Sequence, residues 1–451
     1  MERVSGRKIS GATWSYVSAL LIAALSLILV HDPIMARVLA LSSAILILWL
    51  WESVPIFVPT LLLWAGIPLL LGGYSPVFAL PKVLGWAADP VLALFLGGYI
   101  LARAAHVSGL DQNFTNILLR LAGESPQRLA WAICFGTAFL AMWMSNIAAA
   151  TLMLATLRPL LQIDDEDTQR LLLLSLVLGA NVGGMISPLG SGPNAIALAR
   201  LEQIGEPMGF VQWITMALPL AAFLMILGLG LLGLLYRGAP RLPTDALGLA
   251  SKGTEGRRLE VCLVLICAIG GWLTESWHQI PAAVIALTAA AVLFLLGLLK
   301  KEDLAAIDGG SLLLIAGGIT LGRLLESSGL LEMGASGAFW HEMPDVWRWA
   351  LLLGIAALLS AVMSNTATAT LLIPLASHFS EGPAAPVLIA MACSLGMPFV
   401  ISTPQNALVA SVSRGLVRGR QIFQLGWPLM IIGWLWIVLT GPWFLQWMHG
   451  L

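Results

Sequence analysis

Charge is scarce in this sequence: Lys, Arg, Asp and Glu together supply 10% of 451 residues, against roughly 25% in a soluble globular domain. Apolar residues supply 59%, and a soluble fold could not cover that much apolar surface. The length alone would suggest several soluble domains of roughly 150 residues; the composition excludes them. With a net charge of −1, no basic run and no acidic tail, nucleic acid is excluded as a partner. The four cysteines, Cys134, Cys262, Cys267 and Cys393, lie in apolar runs at no metal-ligand spacing. They read as small hydrophobes. There is no H-E-x-x-H, no G-x-S-x-G and no pair of intramembrane aspartates, so neither an enzyme nor a cofactor is expected.

What is present is a series of apolar runs, each about the 20 residues that a span requires. Candidates lie at 14–31, 37–52, 54–73, 90–107, 212–236, 259–276, 281–299, 309–326 and 425–447. The run behind MERVSGRK is expected to be a retained first helix, because no small-x-small cleavage site precedes His31. Three further regions, 128–162, 168–203 and 346–417, carry a polar centre interrupted by Gly or Pro. The fold class is therefore an all-α polytopic membrane protein with re-entrant hairpins and broken helices, about 11 transmembrane segments in all.

Basic residues set the orientation. With the N-terminus in the cytoplasm and re-entrant hairpins at 128–162 and 346–380, the inner loops collect Arg3, Arg7, Lys8, Arg120, Arg128, Arg158 and Arg170. They also collect the basic loop 237–258, Lys300, Lys301, Arg414, Arg418 and Arg420. The outer loops keep Arg37, Lys82 and Arg348. The C-terminus falls outside, and a bacterial inner membrane is the expected location.

The chain also repeats itself. GGYILARAAHVSGL at 97–110 matches GGITLGRLLESSGL at 317–330. MSNIAAATLML at 144–154 matches MSNTATATLLI at 363–373, and PLGSGPNAI at 188–196 matches VISTPQNAL at 400–408. Trp51-Glu52 with Pro55 is a weaker match to Trp272, Glu275 and Pro281. An odd number of crossings separates the copies, so the repeats are expected to be inverted, the organisation of secondary transporters. The expected domains are an N-terminal helix (1–32), a first repeat (33–236), a cytoplasmic loop (237–258) and a second repeat (259–451). Scaffold helices run to about 107 and 326. Hairpins at 128–162 and 346–380, broken helices at 168–203 and 384–417, and helices at 212–236 and 425–447 follow them.

Ser145-Asn146 and Ser364-Asn365 each sit mid-way in an apolar run. A turn there must be buried in protein or line a cavity. Ser and Asn suit a helix N-cap. One arm of each hairpin would end in free carbonyls, fit for a cation, and the next would begin with free N–H groups, fit for an anion. The loops 190–194 and 402–406 add Pro193 and Pro404 with neighbouring hydroxyls and amides. These four polar centres contain no Asp, Glu or His, which argues against a proton-coupled site. Arg103 and Arg323 are symmetric and read as snorkelling toward the membrane faces, with His106 and Glu326 interfacial.

MSNTATATLLIPL at 363–375, GANVGGM at 179–185 and the loops Gly-Ser-Gly-Pro-Asn at 190–194 and Ser-Thr-Pro-Gln-Asn at 402–406 resemble the divalent anion/sodium symporter family along essentially the whole chain. The resemblance implies a homodimer, an elevator mechanism and sodium-coupled symport of a divalent anion, a C4-dicarboxylate first, with citrate or sulfate as other candidates. It implies no cofactor other than sodium as the coupling ion. It places a first sodium at Ser145, Asn146 and Gly190, and a second at Ser360, Ser364, Asn365 and Ser402. It places the anion among Asn146, Ser191, Asn365, Thr366, Thr403 and Pro404. Three positions depart from the family pattern. Ile147 replaces a Thr, Gly-Ser-Gly-Pro-Asn replaces Gly-Thr-Pro-Pro-Asn, and Ala141 stands where the second half keeps Ser360. These departures motivate the alternatives of a sodium-independent anion exchanger or an oxyanion or metalloid efflux permease on the same fold.

Overall fold

The computed structural model describes residues 5–51, 54–111, 125–157, 165–237, 257–331, 342–379, 382–413 and 415–449, with isolated positions between them. Side chains at 5–15, 50–51 and 442–449 are outside the description, as are Glu52, Arg120, Arg158 and most of the basic loop. Among the described residues the secondary structure is helical, with no strand.

The first half runs α1 (Ser5–Leu29), α2 (Pro33–Trp51), α3 (Val58–Leu71), α4 (Leu80–Ala87) and α5 (Pro90–Val107). Then come α6 (Pro126–Ala141) and α7 (Asn146–Leu157), the two arms of a hairpin. The pieces of a broken helix, α8 (Glu166–Gly183) and α9 (Gly192–Gln203), precede the long α10 (Phe210–Leu235). The second half repeats the order. It has α11 (Arg258–Leu273), the short α12 (Glu275–His278), α13 (Ala282–Leu295), α14 (Lys301–Ala305) and α15 (Gly309–Ser327). The hairpin arms α16 (Asp345–Val362) and α17 (Asn365–Ser377) follow, then the broken pair α18 (Ala384–Ser394) and α19 (Pro404–Val412), and α20 (Gly419–His449). Among the described residues, five helices are long and apolar enough to cross a membrane. Leu69, Leu295 and Leu439 are more than two-thirds exposed, as expected of surface that meets lipid.

The repeat extends into details that the sequence reading did not resolve. The short helices α4 and α14 each precede an Asp that caps the next helix. Asp89 accepts from Val91 N at 3.0 Å, and Asp308 accepts from Ser311 N at 3.0 Å. The expected match of Trp51 and Glu52 to Trp272 and Glu275 lies outside the described side chains. Trp49 Nε1 donates to Ile56 O at 3.1 Å, and Trp272 Nε1 donates to Ala282 O at 3.0 Å, each across a Pro-containing turn. Glu275 accepts from Phe210 N and Ala282 N, both at 3.1 Å.

Small residues allow the close crossings. α5 lies against α13, where a side chain at Gly97 would overlap the Ala286 backbone. α15 lies against α3, held by Thr60 Oγ1 to Leu313 O at 2.9 Å and Trp64 Nε1 to Thr320 Oγ1 at 3.0 Å. Elsewhere α6 packs along α8, α16 along α18, and α10 against α20.

Candidate substrate and ion site

Each hairpin turns at its Ser-Asn pair, and each broken helix reopens at its Pro/Asn loop. The halves interlock there. α9 packs on α17, and α19 packs on α7. Thr366 Oγ1 lies so close to Gly192 that any Cβ there would overlap it. The predicted anion ligands Thr366 and Ser191 are thus brought together, although they come from different repeats.

At the first tip, Ser145 Oγ accepts from Ala148 N at 3.4 Å, a weak N-cap. Asn146, with Nδ2 turned toward them, donates to Ala180 O at 3.2 Å and Gly190 O at 3.3 Å. Ala180 lies in the last turn of α8, whose carbonyls lack helical partners. Ala141 is fully buried beneath this tip. The hydroxyl absent from Gly190, relative to its counterpart Ser402, is present at Ser187, whose Oγ donates to Met142 O. Ser187 was not singled out in the sequence.

The second tip is richer. Ser360 Oγ lies 2.7 Å from Asn365 Oδ1 and 2.6 Å from Cys393 O, fully buried. Ser402 Oγ donates to Ala361 O at 2.6 Å and accepts from Phe399 N at 3.0 Å. Ser364 stands at the N-cap of α17, but its side chain makes no capping hydrogen bond. Thr403 caps α19, its Oγ1 accepting from Asn406 N at 3.4 Å. Pro404 is exposed at the start of α19, and it begins that helix without a backbone donor.

The loop asparagines serve the chain break. Asn194 Nδ2 donates to Gly184 O at 3.0 Å and Ser187 O at 2.7 Å. Asn406 Nδ2 donates to Met397 O at 3.1 Å and Phe399 O at 2.9 Å. Each amide ties down carbonyls that the interrupted helix releases. A second device crosses the repeats: Asn181 Nδ2 donates to Asn406 Oδ1 and Gln405 Nε2 donates to Asn181 Oδ1, both at 2.8 Å. Asn181 lies inside the GANVGGM run, so the motif marked the place without giving this role. Two oxygens at the first loop remain open: Ser191 Oγ and Asn194 Oδ1 are buried with no hydrogen-bond partner. A buried unpaired polar atom is costly, and these two oxygens are free to accept a further partner.

The two sides of the site differ in access. A cavity of about 540 Å³, lined by Arg103, His106, Ser145, Ile147, Thr151 and Asp308 among others, reaches the first tip. The repeat-related space beside Gly318, Gly322 and Pro374 holds only about 20 Å³. It lies next to an ion cluster in which Arg200 Nη1 is 3.0 Å from Glu326 and Arg323 Nη1 is 3.6 Å from the same carboxylate. Arg103 is paired at its head: its Nε and Nη2 hold Asp303 at 3.1 and 3.0 Å. His106 is engaged by Asp111 at 2.8 Å. Near the closed side, burial pushes the Asp89 carboxyl up, against the opposing pull of the Val91 N–H and Arg323. Trp143 of the first tip stacks on Trp272 of α11 (5.8 Å) and on Phe210 (6.0 Å), which pins the tip to the neighbouring helices.

The whole arrangement matches known transporters. An uncharacterized transporter of Haemophilus influenzae is 28% identical over 436 residues, 90% of this chain and 91% of that protein. A sodium-dependent dicarboxylate transporter of Staphylococcus saprophyticus is 25% identical over 415 residues, 82% of this chain and 79% of that one. An inorganic phosphate transporter of Saccharomyces cerevisiae is 28% identical over 411 residues, 85% of this chain but 43% of its own length. The crystal structure of the Alcanivorax borkumensis YdaH transporter shares the fold at 15% identity, with a TM-score of 0.56 over 88% of this chain and 98% of that one. The profile of the citrate transporter family, CitMHS, matches residues 46–394 and 277–449. This chain is an integral membrane transporter, not an enzyme, and belongs to the citrate transporter family.

Proposed function

We propose that the protein is a sodium-coupled symporter of a divalent anion, a C4-dicarboxylate first, working by an elevator movement of one body against the other. The observation that carries this reading is the second tip, where Asn365 Oδ1 and Cys393 O lie 2.7 and 2.6 Å from Ser360 Oγ. Three neutral oxygens, with the N-terminus of α17 beside them, suit a small hard cation next to an anion. At the first tip, turning the Asn146 amide over would place Oδ1 among Ala180 O and Gly190 O and complete a similar oxygen set. Ser191, Thr366 and Thr403 supply hydroxyls toward the anion, with Pro404 opening α19.

The proposed moving body holds both hairpins, both broken helices, α10 and α20, and the remaining helices form the scaffold of a homodimer in a bacterial inner membrane. In the orientation set by the basic residues, the 540 Å³ cavity faces the cytoplasm. This conformation is then inward-open, held by Arg200 on the moving side and Glu326 on the fixed side. His106 is the repeat counterpart of Glu326, so the open side has no matching lock. Replacing Glu326 with Gln is expected to release it. A cysteine placed at Ala199 in a cysteine-free background should then react several-fold faster with an impermeant maleimide from outside. An unchanged rate would remove the lock from the mechanism.

The direct test of coupling is uptake of labelled succinate into proteoliposomes under an inward sodium gradient, with an equal potassium gradient as control. Sodium-driven uptake into empty vesicles is expected. Uptake that needs internal succinate and ignores sodium would instead make the protein an exchanger, the reading that Ala141 and Ile147 favour. Inorganic phosphate belongs among the competitors, since the yeast relative is a phosphate transporter.

A further inference from the structure

A second cavity lies beside the first, between α5, α11 and the tip of the first hairpin, with a volume of about 280 Å³. Its walls are almost wholly apolar. Along α11 it extends from Cys262 to Trp272, about 15 Å at the helical rise. A cavity of this length and volume is a narrow apolar bore that suits one extended hydrocarbon chain better than a folded peptide. Ile266 and Phe139, both on its lining, are 60% and 43% exposed. The cavity therefore opens on a face that meets lipid rather than water.

One turn below Cys262, at the start of α11, stands Arg258. Its Nε donates to Ser108 O at 3.0 Å, and its Nη2 is buried with no hydrogen-bond partner. Arg257 beside it is occupied by Glu260 and by the carbonyls of Leu296 and Gly297. Asp111, the carboxylate at this end of the cavity, is taken by His106. Arg258 thus has a guanidinium held in place by its Nε while its other nitrogens lack an acidic partner among the described residues. An apolar bore with a fixed cation one helical turn beyond its lining residue Cys262 has the polarity of an anionic amphiphile.

We propose that this is a site for an anionic phospholipid, its phosphate at Arg258 and one acyl chain in the bore. Basic pockets between helices at the cytoplasmic interface bind such headgroups. The chain would lie between α11 and the first hairpin, next to Trp143, and so between the two bodies of the fold. Binding needs no transport activity, so its test stands apart from the symport reading.

The experiment uses the full chain in vesicles that contain either phosphatidylglycerol or phosphatidylcholine with brominated acyl chains, and reads tryptophan quenching. Trp143 lines the bore and its Nε1 has no partner, so Trp143→Phe isolates the signal of interest by difference. That component should saturate at about a fivefold lower fraction of phosphatidylglycerol than of phosphatidylcholine, the preference expected of one basic residue. Arg258→Gln should erase the preference, and Ala105→Leu, which fills the bore, should remove the component itself. Equal quenching by both lipids that ignores Ala105→Leu would reduce the site to bulk lipid contact and overturn the proposal.

Discussion

Asn365→Ala is expected to lower sodium-driven uptake by about 100-fold while the protein still folds and inserts. Asn365 Oδ1 and Cys393 O both lie within hydrogen-bond distance of Ser360 Oγ. Removing the amide therefore leaves Ser360 the Cys393 carbonyl as a partner, and the structural cost is one ordinary hydrogen bond, about 1 kcal/mol. The functional cost is larger. In the proposed site the amide at the start of α17 would face the cation through Oδ1 and the anion through Nδ2. Hydrogen bonds to charged groups contribute roughly 1.5–3 kcal/mol each, and about 2.7 kcal/mol is a factor of 100. Uptake in proteoliposomes and a thermal melt in detergent separate the two costs. Ser360→Ala supplies the internal control, because it gives the second half the residue that the first half already has at Ala141. It should raise the sodium concentration for half-maximal uptake about tenfold and leave the maximal rate nearly intact. If Asn365→Ala transports every tested anion normally, the second tip is structural and the proposed site is wrong.

The tips and breaks were legible in the sequence because membrane burial makes a polar, Gly/Pro-rich centre expensive. Ser145-Asn146 and Ser364-Asn365 each fall at a hairpin turn, and both Pro/Asn loops open a helix. Side-chain partnerships were less legible. Arg103 read as a snorkelling residue since its partner, Asp303, is 200 residues away on α14, a helix too short to register in hydropathy. Asn194 and Asn406 were legible only as amides near a break, because spacing does not show which way an amide points. The structure gives their Nδ2 groups to backbone carbonyls.

The adjacent glycines 183 and 184 yield the other large effect, and they should fail in different ways. A Cβ on Gly183 would overlap backbone atoms of Ala138 on α6, and a Cβ on Gly184 would overlap only side-chain atoms of Asn146. Backbone cannot move aside without parting α6 from α8. Gly183→Ala should therefore cost about 1–3 kcal/mol of stability, as overpacking does, and appear as a lowered melting temperature and poor yield. Asn146 is only partly buried at the hairpin tip, and its amide can rotate away. Gly184→Ala should then fold almost normally yet lose at least tenfold in sodium-dependent uptake, because Asn146 leaves the carbonyls of Ala180 and Gly190. The comparison also addresses the first tip, the one that lacks hydroxyls at Ala141 and Ile147. A stable Gly184→Ala protein with unchanged sodium dependence would mean that the first tip binds no coupling ion. The second tip would then carry the coupling alone.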